Sequence, residues 1–177
     1  MKKKLAAILT LLMLTNTAKS LSNHTIAWGK VSMHGSIVET ACAIEMDNRE
    51  QTVDMQAIPI SLLARNGKGI AYSFKIKLIN CTQERLNPRL SPWQAFSVTF
   101  DGIPDGQLLQ VEGTAKGAGL QIIDEWGNIA ELGRPMPLLE VKQISQELNY
   151  TINLLLNNSP LQAGAFRSVA RFKMDYY

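Results

Sequence analysis

The chain closes on Val169 to Tyr177, "VARFKMDYY". Every second residue is apolar or aromatic: Ala170, Phe172, Met174 and Tyr176. Between them stand Arg171, Lys173, Asp175 and the final Tyr177. A period of two marks a strand with one face buried and one face in water. Such a strand needs neighbours in its sheet and a second layer beneath it. In this sequence neither a turn nor a further strand follows it.

Upstream, the same period recurs. "AYSFKIKLINC" sets Tyr72, Phe74, Ile76 and Leu78 against Ser73, Lys75 and Lys77. "FSVTFDG" puts Phe96, Val98 and Phe100 on one face and ends in an Asp-Gly turn. "GLQIIDEWGNIAELG" reads as a hairpin turning over Asp124 to Asn128. "NYTINLLLNN" keeps Tyr150, Ile152, Leu154 and Leu156 in phase. "TVDM" (52–55) is a short strand candidate, and "QAIPISLLAR" has room for one helical turn. Turn signals recur about every 8–15 residues, without strand–helix alternation, which favours an all-β sandwich over a parallel sheet.

The N-terminus is of another kind. "MKKK" is basic, "LAAILTLLML" is apolar but short for a bilayer, and Ala18 and Ser20 fit the small positions of a signal-peptidase site. Residues 1–20 therefore read as a secretory signal peptide. No other stretch is long and apolar enough to span a membrane. The signal holds four of the 18 lysines and arginines and no acid. Residues 21–177 carry 14 basic side chains against 15 acidic, so the basic pI gives no reason to expect nucleic acid or an anionic membrane as partner.

These 157 residues (177 less 20) suit one domain. Its two cysteines, Cys42 and Cys81, are in an exported protein most simply one disulfide. Closing a loop of about 40 residues would stabilise the fold by about 4 kcal/mol in the chain-entropy model. A redox CxxC or a zinc site has neither the spacing nor the partner ligands.

Reaction chemistry is hard to assemble. Both histidines, His24 and His34, lie near the N-terminus, and His34 falls on a polar phase, so a Ser-His-Asp site lacks its base. Asp101 and Asp105 in "DGIPDG" fall short of a calcium loop. "GTAKGAGLQ" is not a phosphate-binding glycine pattern, and its glycines suit turns, bulges or close backbone approach. Trp28, Trp93 and Trp126 are too scattered to define a carbohydrate platform. No metal or cofactor is implied.

The start of the exported chain alternates too: Ala27, Gly29, Val31 and Met33 face one way, Trp28, Lys30, Ser32 and His34 the other. An apolar strand at the start and an uncovered one at the end can pair within one molecule. Alternatively, the first strand of one molecule can add to the open edge of the next.

With these residues in view, the sequence resembles the pilins of the bacterial chaperone–usher pathway. "MHGSIVETACAI" is similar to the family's glycine followed seven residues later by a cysteine. Cys81 in "KLINC" matches the second cysteine, and "AKGAGLQIIDEWGNI" resembles the family's central segment. Gly164 stands fourteenth from the C-terminus and Tyr176 is the penultimate aromatic, as in the family. The resemblance implies an incomplete immunoglobulin-like β-sandwich lacking its last strand. It divides the chain into a signal peptide (1–20), a donor-strand extension (21–34) and a pilin domain (35–177).

The partners implied are a periplasmic chaperone, an outer-membrane usher and neighbouring pilin subunits. The chaperone lends a strand beside Phe172, Met174 and Tyr176 and grips the carboxylate of Tyr177. Donor-strand exchange then replaces it, giving a cell-surface fimbrium. Several segments look closest to the Pap-type subunit that terminates and anchors the pilus at the outer membrane. That subunit has a longer, proline- and tryptophan-rich N-terminus, which this chain lacks, so a terminating and an ordinary internal subunit both remain as readings. A tip adhesin would need a lectin domain for which 157 residues leave no room. A secreted enzyme would need a convergent acid, base and nucleophile.

Overall fold

The computed structural model describes residues 29–177. The signal-peptide reading, His24, Ala27 and Trp28 lie outside them. Val38–Tyr177 forms one compact unit.

Within it the long strands fall where the period of two and the Asp124–Asn128 hairpin reading place them. β2 (Tyr72–Cys81), β3 (Ala95–Asp101), β7 (Ala118–Asp124), β9 (Ile144–Leu156) and β11 (Arg171–Tyr176) carry the architecture. Shorter strands complete it: β1 (Ala43–Ile44), β4 (Pro104–Asp105), β5 (Leu108–Gln110), β6 (Glu112–Gly113), β8 (Leu139–Glu140) and β10 (Phe166–Arg167). One sheet has the order β1-β2-β9-β7-β5-β4, another β11-β3-β8, and β10 pairs with β6. Every pairing is antiparallel.

Several local details differ from the sequence reading. Thr52–Met55 carries no strand. The segment "QAIPISLLAR" gives a seven-residue helix, α1 (Ile60–Asn66), which begins after Pro59 and ends at Gly67 with φ 70°. A residue without Cβ can close a helix in this left-handed conformation at little cost. Asp101-Gly102 makes no hairpin; there the chain leaves β3 for the other sheet. The two-residue hairpin lies at Gly106-Gln107, joining Asp105 to Leu108. β9 starts at Ile144, ahead of the "NYTINLLLNN" run that begins at Asn149.

The Asp124–Asn128 turn forms as read. The Asp124 carboxylate accepts the amide hydrogens of Trp126 (3.0 Å) and Asn128 (2.7 Å). Its return arm then switches sheets: the amide of Ala130 still bonds to Ile122, but those of Gly133 and Met136 bond to Phe100 and Val98 of β3.

The layers meet through two apolar clusters. The larger joins Ile76, Leu78, Leu148 and Tyr150 of the first sheet to Phe96, Val98 and Phe100 of the second. The smaller gathers Leu63 of α1 with Leu109, Val111, Leu120 and Leu154 at the far end of β9, with Met55, Ile58 and Phe166 packed on it. Tyr150 sits at the centre of the first. Its ring stacks on Phe74 at 5.3 Å and meets Phe100 edge-on at 5.0 Å. Cys42 and Cys81 form the disulfide at the opposite end from α1, where β1 pairs with β2.

Burial raises the Tyr150 phenol well above the usual tyrosine range, and the charges of Asp124 and Glu125 add to the shift. Burial raises Tyr176 as well. A phenol whose folded pKa exceeds its unfolded one leaves stability intact below pH about 10 and removes it as pH rises further. Urea unfolding should therefore show equal stability at pH 7 and pH 9 and a decline beyond pH about 10. Tyr150→Phe should flatten that decline; an unchanged slope would mean the ring ionises freely in the native state.

Candidate functional site

Strand β11 is bonded on one side only. Residues 171–176 pair in register with Asp101 back to Phe96 of β3, and among the described residues no strand lies on its other side. Tyr177 extends the ladder: its amide donates to Ala95 O (2.8 Å) and its carbonyl accepts from Gln94 N (2.9 Å). In an antiparallel pair the bonded positions alternate. With Tyr177 facing β3, so do Asp175, Lys173 and Arg171. The main-chain groups of Phe172, Met174 and Tyr176 then point to the open edge.

The side chains are open in the same direction. Phe96, Val98 and Phe100 of β3 are at most 1% exposed. Phe172, Met174 and Tyr176, opposite them, are only half-buried. Phe172 lies 6.3 Å from Phe100, and Tyr176 5.8 Å from Phe96 and 5.9 Å from Trp93. Ile44 and Phe74, also half-buried, pack on the same cluster from the first sheet. At the disulfide end the Tyr176 hydroxyl donates a long hydrogen bond (3.4 Å) to Cys42 O. An apolar furrow thus runs beside β11, with unpaired main-chain groups along one wall.

The opposite wall is treated differently. Beyond β1, the edge of β2 is covered by side chains. Asn48 Oδ1 accepts the Lys77 amide (3.0 Å) and Gln51 Nε2 donates to Lys75 O (2.8 Å). Side chains of the 3-10 turn Met46–Asn48 and of the residues after it thus stand in for a neighbouring strand.

The remaining candidate residues are dispersed. Ala170 shares the apolar phase but precedes β11 and is exposed. Gly164 lies outside the furrow, where residues 164–166 cross 113–115. A Cβ on it would come within 2.5 Å of the Ala115 nitrogen and Thr114 Oγ1. The Ala165 amide donates to that same Thr114 hydroxyl (3.0 Å), so the glycine permits the crossing that leads into β11. Gly29, Val31 and Met33 are exposed, Val31 and Met33 at 83% and 87%, and residues 29–42 form no strand. The sequence reading missed Ile44 and Phe74 as furrow walls, because period two marks a face without saying what it meets. No group of three or more metal-ligating side chains occurs among the described residues.

Known proteins resemble this chain in sequence and in fold. The PAP fimbrial minor pilin protein of Escherichia coli is 34% identical over 152 residues, covering 84% of this chain and 77% of the relative. The PRS fimbrial minor pilin protein of the same species matches over the same length at the same identity. The chain belongs to the chaperone–usher fimbrial pilins. The major MR/P fimbria protein of Proteus mirabilis is 30% identical over 153 residues, covering 84% of the chain and 83% of that protein. No protein-family model matches. Among solved structures, the P pilus rod subunit PapA superposes with a TM-score of 0.69 at 20% identity, over 78% of this chain and 100% of that one. The fold of this pilin is accordingly an immunoglobulin-like sandwich, and its role is that of a structural fimbrial subunit.

Because the Gly164 crossing is tight against backbone, Gly164→Ala should destabilise the pilin by about 1–3 kcal/mol. Gly35, with nothing near its Cβ position, supplies the control: Gly35→Ala should leave the denaturation midpoint unchanged. Equal effects of the two would remove the steric account.

Proposed function

We propose that this pilin is completed by a strand from another molecule, and that it ends pilus growth at the base of the fibre. The observation that carries the first part is the open edge of β11, with Phe172, Met174 and Tyr176 half-buried beside it. A strand added there would bond the free main-chain groups and cover the furrow with its alternate side chains. In the periplasm the occupant is a chaperone strand anchored on the Tyr177 carboxylate. At the outer-membrane usher it is exchanged for the extension of a neighbouring pilin. Residues 21–34 of this chain, with Ala27, Gly29, Val31 and Met33 in phase, are its own donor segment, and 35–177 the acceptor domain. The work is assembly, without reaction chemistry or cofactor.

Two observations support the terminating role. The PAP and PRS relatives are described as minor pilins. The α1 end of the sandwich is filled by Met55, Ile58, Leu63 and Phe166. Strand exchange needs an empty stretch at one end of the furrow, where the incoming strand gains a foothold before the resident one leaves. With that end filled, the chaperone strand stays and the fibre stops. The pilin still joins the preceding subunit through its own extension.

The test mixes the purified chaperone complex with a peptide copying another subunit's N-terminal extension and tracks chaperone release. Persistent chaperone binding, with longer pili on deleting the gene, is the expected outcome. Release as fast as from a major pilin would make this an ordinary internal subunit. Deleting residues 21–32 should leave chaperone binding intact and abolish insertion into the preceding subunit; loss of chaperone binding would make that segment part of the core.

A further inference from the structure

The disulfide end of the furrow is held by a cluster that the strand-addition reading does not use. Arg85, in the connection between β2 and β3, sits over Trp93, its guanidinium carbon 3.8 Å from the ring centre. The other face of the cluster is Tyr176, with ring centres 5.9 Å apart. On its outer side Arg85 meets Glu39, Nη2 to Oε2 at 3.5 Å, with both side chains largely shielded from solvent. The second Glu39 oxygen accepts the Leu86 amide at 2.7 Å. Glu39 stands beside Val38, where the compact unit begins. The residues just before it, Ile37 and Val38, are exposed at 104% and 72%.

One connected set of contacts therefore runs from the root of the N-terminal segment to the residue at the end of the furrow. Arg85 suits the middle position because a planar guanidinium can stack on an indole and pair with a carboxylate at the same time. Tyr176 depends on that stack, since Trp93 is one of the two aromatic rings holding it.

We propose that Glu39 and Arg85 are positioning residues that couple the two ends of assembly: a strand seated beside β11 tightens the root of the same subunit's N-terminal segment, and slackening that root weakens strand seating. The proposal rests on the reading of β11 as a strand acceptor. The physical route is short. A strand covering Tyr176 removes its freedom to tilt, which fixes Trp93, the stacked Arg85 and, through the ion pair, Glu39. Coupling free energies are reciprocal, so the effect must be measurable from either end.

The experiment refolds the mature chain from denaturant with a labelled synthetic peptide copying residues 27–37, and measures peptide affinity and exchange of the Leu86 amide. Glu39→Gln is the informative variant: its side-chain oxygen can still accept the Leu86 amide, while the charge facing Arg85 is gone. Wild type should bind the peptide with slowed Leu86 exchange. Glu39→Gln and Arg85→Lys should each bind it about fivefold more weakly, and in Glu39→Gln the exchange rate should no longer respond to peptide. Pairing Glu39→Gln with Tyr176→Leu, which removes the ring against Trp93, should give less than the sum of the single effects. Normal affinity in Glu39→Gln, or a Leu86 amide indifferent to peptide in wild type, overturns the coupling and leaves the acceptor reading standing. Failure of wild type to bind the peptide overturns both.

Discussion

Main-chain groups along a strand want partners, and in β11 those of Phe172, Met174 and Tyr176 have none among the described residues. The edge also has an apolar depth, because Phe172, Met174 and Tyr176 are shared between the strand and the larger cluster. Fully burying such a side chain is worth about 1.5–3 kcal/mol, so a partly buried one leaves at most about 1 kcal/mol unrealised. Each main-chain bond completed adds about 0.5–1.5 kcal/mol net. A strand that did both along β11 would gain from each of its two periodic faces, edge and side chain, at every second position.

Several other edges of the molecule are protected by means that the chain supplies itself. Asn48 and Gln51 cap β2 with side-chain atoms. β4, at the far end of the large sheet, begins with Pro104, which has no amide hydrogen to offer a neighbour. Beside β3 the return arm brings Pro135 against Thr99. β11 has no proline, no bulge and no covering segment among the described residues. An exposed edge without such protection invites pairing with another chain, and here the pairing has an apolar furrow to specify its register.

Much of this was legible from period two. β2, β3, β9 and β11 were marked by alternation, and β7 as the first arm of the hairpin read around the Asp124–Asn128 turn. The features that escaped did so for physical reasons. Two-residue strands such as β1, β8 and β10 are too short for a period to exist. Thr52–Met55 alternates like a strand, but its Met55 is drawn to the α1 cluster. The next residue, Gln56, gives its amide to the Tyr72 hydroxyl (2.7 Å) rather than to a ladder. The first residues of β9 were hidden by "SQE", an unbroken polar run. Ala170 kept the apolar phase while lying outside the strand, since alternation does not say where pairing begins. The Asp-Gly signal was correct in kind and misplaced, because Asp101-Gly102 and Asp105-Gly106 stand close together and only the second closes a hairpin.

The two clusters also divide the labour of the domain. At the α1 end, Met55, Ile58 and Leu63 come from the segment between β1 and β2 and seal the sandwich from within. At the disulfide end, Cys42 and Cys81 fix β1 to β2, yet the wall opposite is the unpaired strand. A closed disulfide end would need a further strand of this chain between β1 and β11. The described residues place none there: 29–42 precede β1 without strand structure, and Tyr177 is bonded to β3. The domain is thus self-sufficient at one end and dependent at the other. Any added strand would therefore meet an open edge along β11 and an apolar cluster already formed at the α1 end.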